Sequence, residues 1–250
     1  KVQFYESEYP YDTLEKFGLT REMIEDLPMH VLDDLSAGLR SPVLPIKVKN
    51  DNGDEIACRS RFSFVYSDEG KVQAVFYPAL KTAPLEKFGA EEQKYLMAGK
   101  TIVSDVNLPD GLSTRAYIQI DPETRQVITA PASLIENNLK LASDAFHLAQ
   151  QEVTSIKNGK PLTFSIGNDP ITIGVDLTGK SSIKNREGDD IEWKNQSKKE
   201  WGKYTFGCYG CWITDSDGNH DYISEEDYTE ELWDEQKKAG LRNISSGLRK

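Results

Sequence analysis

The residues best suited to metal or redox chemistry are the cysteines, and two of the three stand close together. Cys208 and Cys211 are separated by two residues, as in zinc and redox motifs. One such pair supplies half of a four-ligand zinc site, so Cys58 and His220 would have to complete it from distant segments. If residues 203–214 form one regular strand, the two thiols point to opposite faces, unless a bulge at the intervening glycine realigns them. We therefore favour structural cysteines over a shared thiol site.

An acidic loop near the C-terminus has the oxygen spacing of a calcium site. Alternating carboxylates and carbonyls surround Ca²⁺ in EF-hand loops. However, His220 occupies the position of the sharp-turn glycine, and a strand rather than a helix precedes the loop. Two interpretations stay open: a hairpin turn at Asp217-Gly218, which we favour, and a weak divalent-cation site. The candidate ligands are Asp215, Asp217, Asn219, Asp221 and Glu226.

Basic side chains project from one face of a predicted three-stranded sheet in the first third of the chain. A solvated sheet face explains such a cluster, and a surface that contacts anions or nucleic acid is the alternative. The residues are Lys47, Lys49, Arg59 and Arg61, with Lys71 nearby.

Residues 174–181 match the phosphate-loop pattern, with Lys180 and Ser181 at its end. That motif needs a helix directly after the loop, whose N-terminus helps to bind phosphate. Residues 183–190 have no amphipathic stripe, and Gly188 interrupts them. We therefore predict a turn at the end of a strand. Nucleophile-elbow, zincin and dinucleotide-binding motifs do not occur in the sequence.

The elements that must position these residues follow from a repeat. Residues 14–18, Leu-Glu-Lys-Phe-Gly, return unchanged as residues 85–89. Each copy opens a predicted order of a short amphipathic helix, a glycine stop and three alternating strands. Leu44, Ile46 and Val48, for example, alternate with lysines, which predicts one buried and one wetted face. The sequence thus predicts an α+β fold with two tandem αβββ modules built on antiparallel meanders.

A long helix is predicted after the second module. Its apolar residues step by alternating threes and fours over about three heptads, from Ile135 to Ile156. A core helix packed on a sheet is the interpretation we favour, and a dimer seam along residues 133–157 is the alternative. All four tryptophans follow this helix. The predicted domains are 1–80 and 81–132 for the two modules, 133–159 for the connecting helix, and 160–250 for a Trp-rich α+β domain.

Composition limits the classes of function. The net charge of −11 opposes a general nucleic-acid coat, although a local basic face remains compatible with it. No apolar run reaches the roughly 20 residues that span a bilayer, so we expect a soluble chain without a membrane partner. Three cysteines are too few for a secreted disulfide scaffold, which favours a reducing compartment. The chain begins at Lys1 rather than Met, which leaves open an upstream signal or domain.

Five stretches form recognisable motifs: residues 14–22, 38–46, 88–93, 98–100 and 117–121. On these stretches, residues 11–134 resemble a family of domains of unknown function found in Bacteroidetes proteins carried on conjugative and other mobile elements. The resemblance implies a cytoplasmic, mobile-element context. It supplies no catalytic residues.

These observations together favour a non-enzymatic binding or scaffolding protein. A protein partner is the first expectation, and nucleic acid, bound through the local basic face, is the second. No cofactor is expected beyond a weakly bound divalent cation. The alternative is a metal-dependent enzyme or Ca²⁺-binding domain that uses the loop from Asp215 to Asp221. An acidic DNA mimic is a weaker third class, because lysines and arginines are interspersed with the acids.

Overall fold

The computed structural model describes the backbone of residues 3–195 and 201–247. In this part of the chain, helices alternate with four three-stranded antiparallel sheets, each a meander of consecutive strands. The predicted α+β class and its repeated antiparallel meanders are therefore confirmed.

The first module contains three short helices and the first sheet. Thr20 caps α2, because its Oγ1 accepts a hydrogen bond from the Met23 amide at 3.3 Å. The helices pack on one face of the sheet, where Leu44, Ile46 and Phe62 are buried. The elements are α1 (Tyr11–Lys16), α2 (Arg21–Glu25), α3 (Met29–Ser36), β1 (Leu44–Lys49), β2 (Glu55–Tyr66) and β3 (Val72–Pro78).

The second module repeats this order with one helix. Its elements are α4 (Ala90–Met97), β4 (Ile102–Asn107), β5 (Ser113–Ile120) and β6 (Val127–Pro131). The repeated pentapeptide does not repeat its structure. Gly18 follows α1 in the left-handed region at φ +79°, whereas Gly89 is extended at φ −64° and is the N-cap of α4. The helix predicted for the second module at Ala90–Met97 is confirmed as α4. It begins after the pentapeptide rather than within it, and the Phe88 amide donates to the Leu85 carbonyl at 3.0 Å.

The predicted long helix is two helices, α5 (Ala132–Phe146) and α6 (Gln150–Lys157). His147 ends α5 in the left-handed region at φ 54°, and the Glu152 carboxylate accepts the Ala149 amide hydrogen at the start of α6. Ile135, Leu139 and Ile156 are fully buried against the neighbouring strands. The apolar stripe is therefore packed within its own chain, as in the core-helix interpretation.

The last third of the sequence contains more regular structure than predicted. It comprises β7 (Leu162–Ile166), β8 (Asp169–Val175), β9 (Ile183–Glu187), α7 (Asp190–Asn195), β10 (Tyr204–Phe206), β11 (Gly210–Thr214), β12 (His220–Ser224) and α8 (Glu230–Gly247). Residues 179–202 are charged and polar without a regular period, which predicts a long loop or a mobile insert. The structure instead forms β9 and α7 in this segment, and residues 196–200 lie outside the described part. Residues 203–214, predicted as one strand, form the hairpin of β10 and β11. The Gly207 amide closes its turn by donating a hydrogen bond to the Gly210 carbonyl at 2.8 Å.

The described residues fall into two compact units. Unit 1 comprises those within 1–78 and 200–250, and unit 2 those within 79–199. Each unit combines one αβββ module with one further three-stranded sheet. The region 160–250, treated as one domain in the sequence, contributes to both units.

In unit 1, the carboxylate of Asp26 joins the module to the C-terminal strands. Asp26 follows α2 and is 5% exposed. Its Oδ1 accepts the Cys208 amide hydrogen at 2.7 Å, and its Oδ2 accepts the Tyr209 amide at 3.0 Å and the Tyr222 hydroxyl at 2.6 Å. A Cβ at Gly207 would collide with this carboxylate, so the turn must approach it with glycine.

In unit 2, Gln119 plays the corresponding part. It lies on β5 and is 8% exposed. Its Nε2 donates to Asp176 Oδ1 at 3.2 Å, and its Oε1 accepts the Leu177 amide hydrogen at 2.8 Å. Both partners follow β8, so the amide links the second module to the adjacent sheet.

We expect Asp26→Asn to destabilise unit 1 by about 2 kcal/mol, because the amide turns an NH₂ donor towards groups that are themselves donors. Urea unfolding followed by tryptophan fluorescence measures this, since three of the four tryptophans lie within residues 200–250. Asp33→Asn, at an exposed position of α3, is the matched control. Equal unfolding midpoints for the two variants would contradict the assigned role of Asp26.

Candidate binding surface

Four of the predicted basic residues lie on the first sheet and the fifth, Lys71, lies in the turn between β2 and β3. Several of them are paired with acids. Lys47 Nζ is 3.3 Å from Glu55 Oε1, and Lys71 Nζ is 3.3 Å from Glu69 Oε2. Both pairs are more than half exposed, so each contributes little to stability. Lys49 is exposed at the end of β1. The cluster is thus a mixture of paired and solvated charges.

One ion pair connects the two sites predicted from the sequence. Arg59 Nη2 lies 3.0 Å from each carboxylate oxygen of Asp221, and its Nη1 donates to the His220 carbonyl at 3.0 Å. A basic residue of the predicted anion site therefore holds an acid of the predicted cation site. A cation at Asp221 would have to compete with this guanidinium.

The Asp215 loop is the turn between β11 and β12. Asp215 Oδ1 accepts the amide hydrogens of Asp217 and Asn219, both at 2.9 Å, and Oδ2 accepts from Asn219 Nδ2 at 3.2 Å. The Asn219 amide holds the pKa of Asp215 below its usual range. Gly218 adopts φ +84°, as a hairpin turn requires. The loop thus has the geometry of the hairpin interpretation.

The remaining predicted ligand, Glu226, lies in a 3-10 turn, Glu225–Asp227, after β12. Across residues 3–195 and 201–247, no three His, Cys, Asp or Glu side chains are grouped so that they could hold a metal ion. The cation site at Asp215 to Glu226 therefore stays a prediction from sequence.

The cysteines have different environments. Cys208 is exposed in the β10–β11 turn, whereas Cys211 is fully buried on β11. Burial raises the pKa of the Cys211 thiol to about 11, which keeps it protonated at neutral pH. Cys58 is half-buried on β2. These environments match the structural interpretation of Cys211.

His220 is a buried imidazole rather than an exposed ligand. Its ring stacks on Trp201 with 3.9 Å between ring centroids, and Nδ1 is 2.8 Å from Thr214 Oγ1. Burial, together with the nearby Arg59 charge, lowers the pKa of His220 to about 4. The neutral ring therefore fills a packing position in unit 1.

The phosphate-loop pattern at residues 174–181 forms a turn between β8 and β9, as predicted. Asp176 Oδ1 accepts hydrogen bonds from the Thr178 amide at 3.0 Å and from the Thr178 hydroxyl at 2.6 Å. Asp176 Oδ2 lies 3.7 Å from Lys184 Nζ. Asp176, whose negative charge would repel a phosphate in this loop, is thus the residue that organises the turn.

Sequence reasoning missed an aromatic site at the far end of β3. The Arg40 guanidinium lies over the Tyr77 ring, 3.7 Å from its centroid, and Tyr77 Oη is 3.1 Å from Ser63 Oγ. Tyr77 is the direct cross-strand neighbour of Arg61, which donates to the Ser41 carbonyl at 2.9 Å. Counting the antiparallel register outwards from the Asp68 turn would have paired Arg61 with Tyr77.

The sheet has an open side that we call the outer face. The outer face carries the side chains of the first sheet that point away from the helices, as strand alternation and register assign them. Val65 and Val75 are 38% and 37% exposed there. This face combines exposed valines with basic and aromatic side chains. Its residues are Pro45, Lys47, Lys49, Glu55, Ala57, Arg59, Arg61, Ser63, Val65, Gln73, Val75 and Tyr77, of which Ser63 is buried.

We expect His220 to make unit 1 sensitive to acid. The unfolded chain binds a proton near pH 6.5, whereas the folded chain does so only near pH 4, so stability falls as the pH drops through this window. The loss reaches roughly 3 kcal/mol. In urea unfolding between pH 7 and 4.5, His220→Phe should flatten this slope, whereas His30→Gln, at an exposed position, should keep it. Parallel slopes for wild type and His220→Phe would refute the assignment.

We expect the native protein to alkylate at Cys208 roughly 100-fold faster than at Cys211, because only Cys208 is exposed and a thiol of raised pKa yields little thiolate. Peptide mass spectrometry after iodoacetamide treatment at pH 7.5 measures both rates. Cys208→Ser is the control that isolates the slow site. A disulfide-linked peptide containing both residues would show that the pair acts together.

Comparison with known sequences locates one family match. Residues 4–87 match the family described as "Protein of unknown function (DUF4099)", which spans α1 to β3 and the start of the second module. No curated protein and no solved structure matches the chain. In the part of the chain that the structure describes, no helix is long and apolar enough to cross a membrane. Residues 4–87 therefore contain a domain of unknown function, and the outer face lies within it.

Proposed function

We propose that this chain is a non-enzymatic binding or scaffolding protein that holds a partner protein on the outer face of its first sheet. The observation that carries the proposal is the pair of exposed valines, Val65 and Val75, on an open sheet face within the matched domain. Exposed apolar side chains rimmed by polar ones are typical of protein-binding surfaces.

The use made of the polar side chains supports binding over catalysis. Asp26 and Gln119 join elements distant in sequence, Arg59 holds Asp221, and Asp215 organises a turn. Active sites, by contrast, bring together groups whose pKa values are shifted for proton transfer at the operating pH. Among the described residues, the groups with strongly shifted pKa values, such as buried Cys211 and His220, stay neutral at pH 7.

The charge of the outer face favours a protein over a nucleic acid. Lys47 and Arg59 are each paired with an acid, so their attraction to phosphates is partly cancelled. Binding to nucleic acid gains its strength from many unpaired cations that displace counterions. The mobile-element and cytoplasmic context belongs to the same proposal and rests on the resemblance of residues 11–134.

The test mixes the purified chain with each protein encoded beside its gene, and with duplex and single-stranded DNA. We expect micromolar or tighter binding to one protein, measured by calorimetry, and no band shift with DNA at physiological salt. Val65→Glu should weaken that binding at least tenfold, whereas Leu141→Glu, at an exposed apolar position of α5 in unit 2, should not.

A band shift with DNA, in the absence of binding to any protein, would show that the partner is a nucleic acid and not a protein. Binding to none of these molecules would refute the proposal. Metal-dependent turnover that is lost in Asp215→Asn would favour the enzyme alternative.

A further inference from the structure

The two edges of the first sheet differ. In β1, Pro45, Lys47 and Lys49 discourage a further strand, and the Lys47 amide already donates to the Phe17 carbonyl at 2.8 Å. The opposite edge is β3, which pairs with β2 on one side and with no other described strand on the other. Natural sheets usually protect such an edge with charges, prolines or bulges.

β3 carries none of these protections along most of its length. Its seven residues, Val-Gln-Ala-Val-Phe-Tyr-Pro, contain no charged side chain, and the only proline ends the strand. The register with β2 runs without a bulge from Val72 to Pro78. β6 and β7 also lack charges but have only five residues each. An uncharged, regular edge of this length is suited to pairing with another strand.

The charges at the two ends of β3 indicate which strand fits. At its start, the turn holds Asp68 beside the Glu69–Lys71 ion pair, so the turn is net negative. At its end, the Arg40 guanidinium lies over Tyr77. An antiparallel second β3 brings the acidic end of each strand to the basic end of the other, and a two-fold axis creates this attraction twice.

We infer that β3 pairs antiparallel with β3 of a second copy of this chain, forming one six-stranded sheet. With the axis at Val75, the valines of the two copies face each other on the outer face, and Gln73 faces the second copy's Tyr77. Cross-strand pairs of β-branched and aromatic residues stabilise such a junction. This dimer presents two outer faces side by side. The inference of a dimer does not depend on the proposed partner protein.

Sedimentation equilibrium of the full chain, without any partner, tests the inference. We expect a reversible dimer, and Val75→Lys should raise its Kd at least tenfold because two ammonium groups then face each other at the axis. Ala57→Lys is the matched control: it adds the same charge to the outer face on β2, beside Lys47 and away from β3, and should change Kd less than twofold.

A charge exchange tests the orientation of the strands. Asp68→Lys should weaken the dimer at least threefold, and the double variant Asp68→Lys/Arg40→Glu should restore it to within twofold of the wild type. A weakening that the exchange does not reverse would overturn the antiparallel arrangement. Circular dichroism confirms that each variant is folded.

Hydrogen exchange provides a readout that needs no variant. The amides of residues 72–77 that point away from β2 should become at least fivefold more protected between 1 and about 100 μM protein, because pairing covers the free side of β3. A wild-type chain that stays monomeric at about 100 μM, or a dimer in which β3 protection does not change, would overturn the inference.

Discussion

The buried carboxylate of Asp26 is the interaction on which unit 1 depends. It accepts three hydrogen bonds from a segment more than 180 residues later in the chain. A buried carboxylate is stable only when such donors replace water, so the position of the β10–β11 turn is tied to Asp26. Burial, together with the hydrogen bond to Asp26, raises the pKa of Tyr222, so its hydroxyl keeps the proton that it donates. Trp212 can then pack fully buried against the first module, with its Nε1 donating to the Met23 carbonyl.

In unit 2, the neutral side chain of Gln119 joins the module to its second sheet. Gln119 receives one hydrogen bond and donates another across the boundary between its two sheets. In both units a three-stranded sheet with helices gains a second sheet, and a buried polar side chain fixes how they meet. Apolar packing alone tolerates small shifts of one sheet against the other. A buried polar group that needs several hydrogen-bond partners favours the one arrangement that supplies them all, because other arrangements leave it unpaired at a much higher free energy. This constraint explains why residues suited to catalysis, such as Asp26, serve the architecture.

Part of the fold and of the surface was predictable from local patterns. Alternation in β1 and β2 correctly placed Lys47, Lys49, Arg59 and Arg61 on the outer face, because a strand exposes every second residue. The partners of those residues were not predictable. Asp221 pairs with Arg59 across 162 positions, and no local signal encodes such a distance. The pairing changes the meaning of both predicted sites, since each supplies a charge that neutralises the other.

The sequence by itself determined the α+β class, the meanders and the turns, because strand alternation and glycine in the left-handed region act over a few residues. The tertiary structure decided which secondary structure particular segments adopt. In the first copy of the pentapeptide, Leu14 to Lys16 form the end of α1. In the second copy, residues 85–88 form a turn and Gly89 is the N-cap of α4. Residues 203–214 fold as a hairpin against Asp26 rather than as one strand. In each case the local preference is worth less than about 1 kcal/mol per residue, and burial against a distant surface outweighs it.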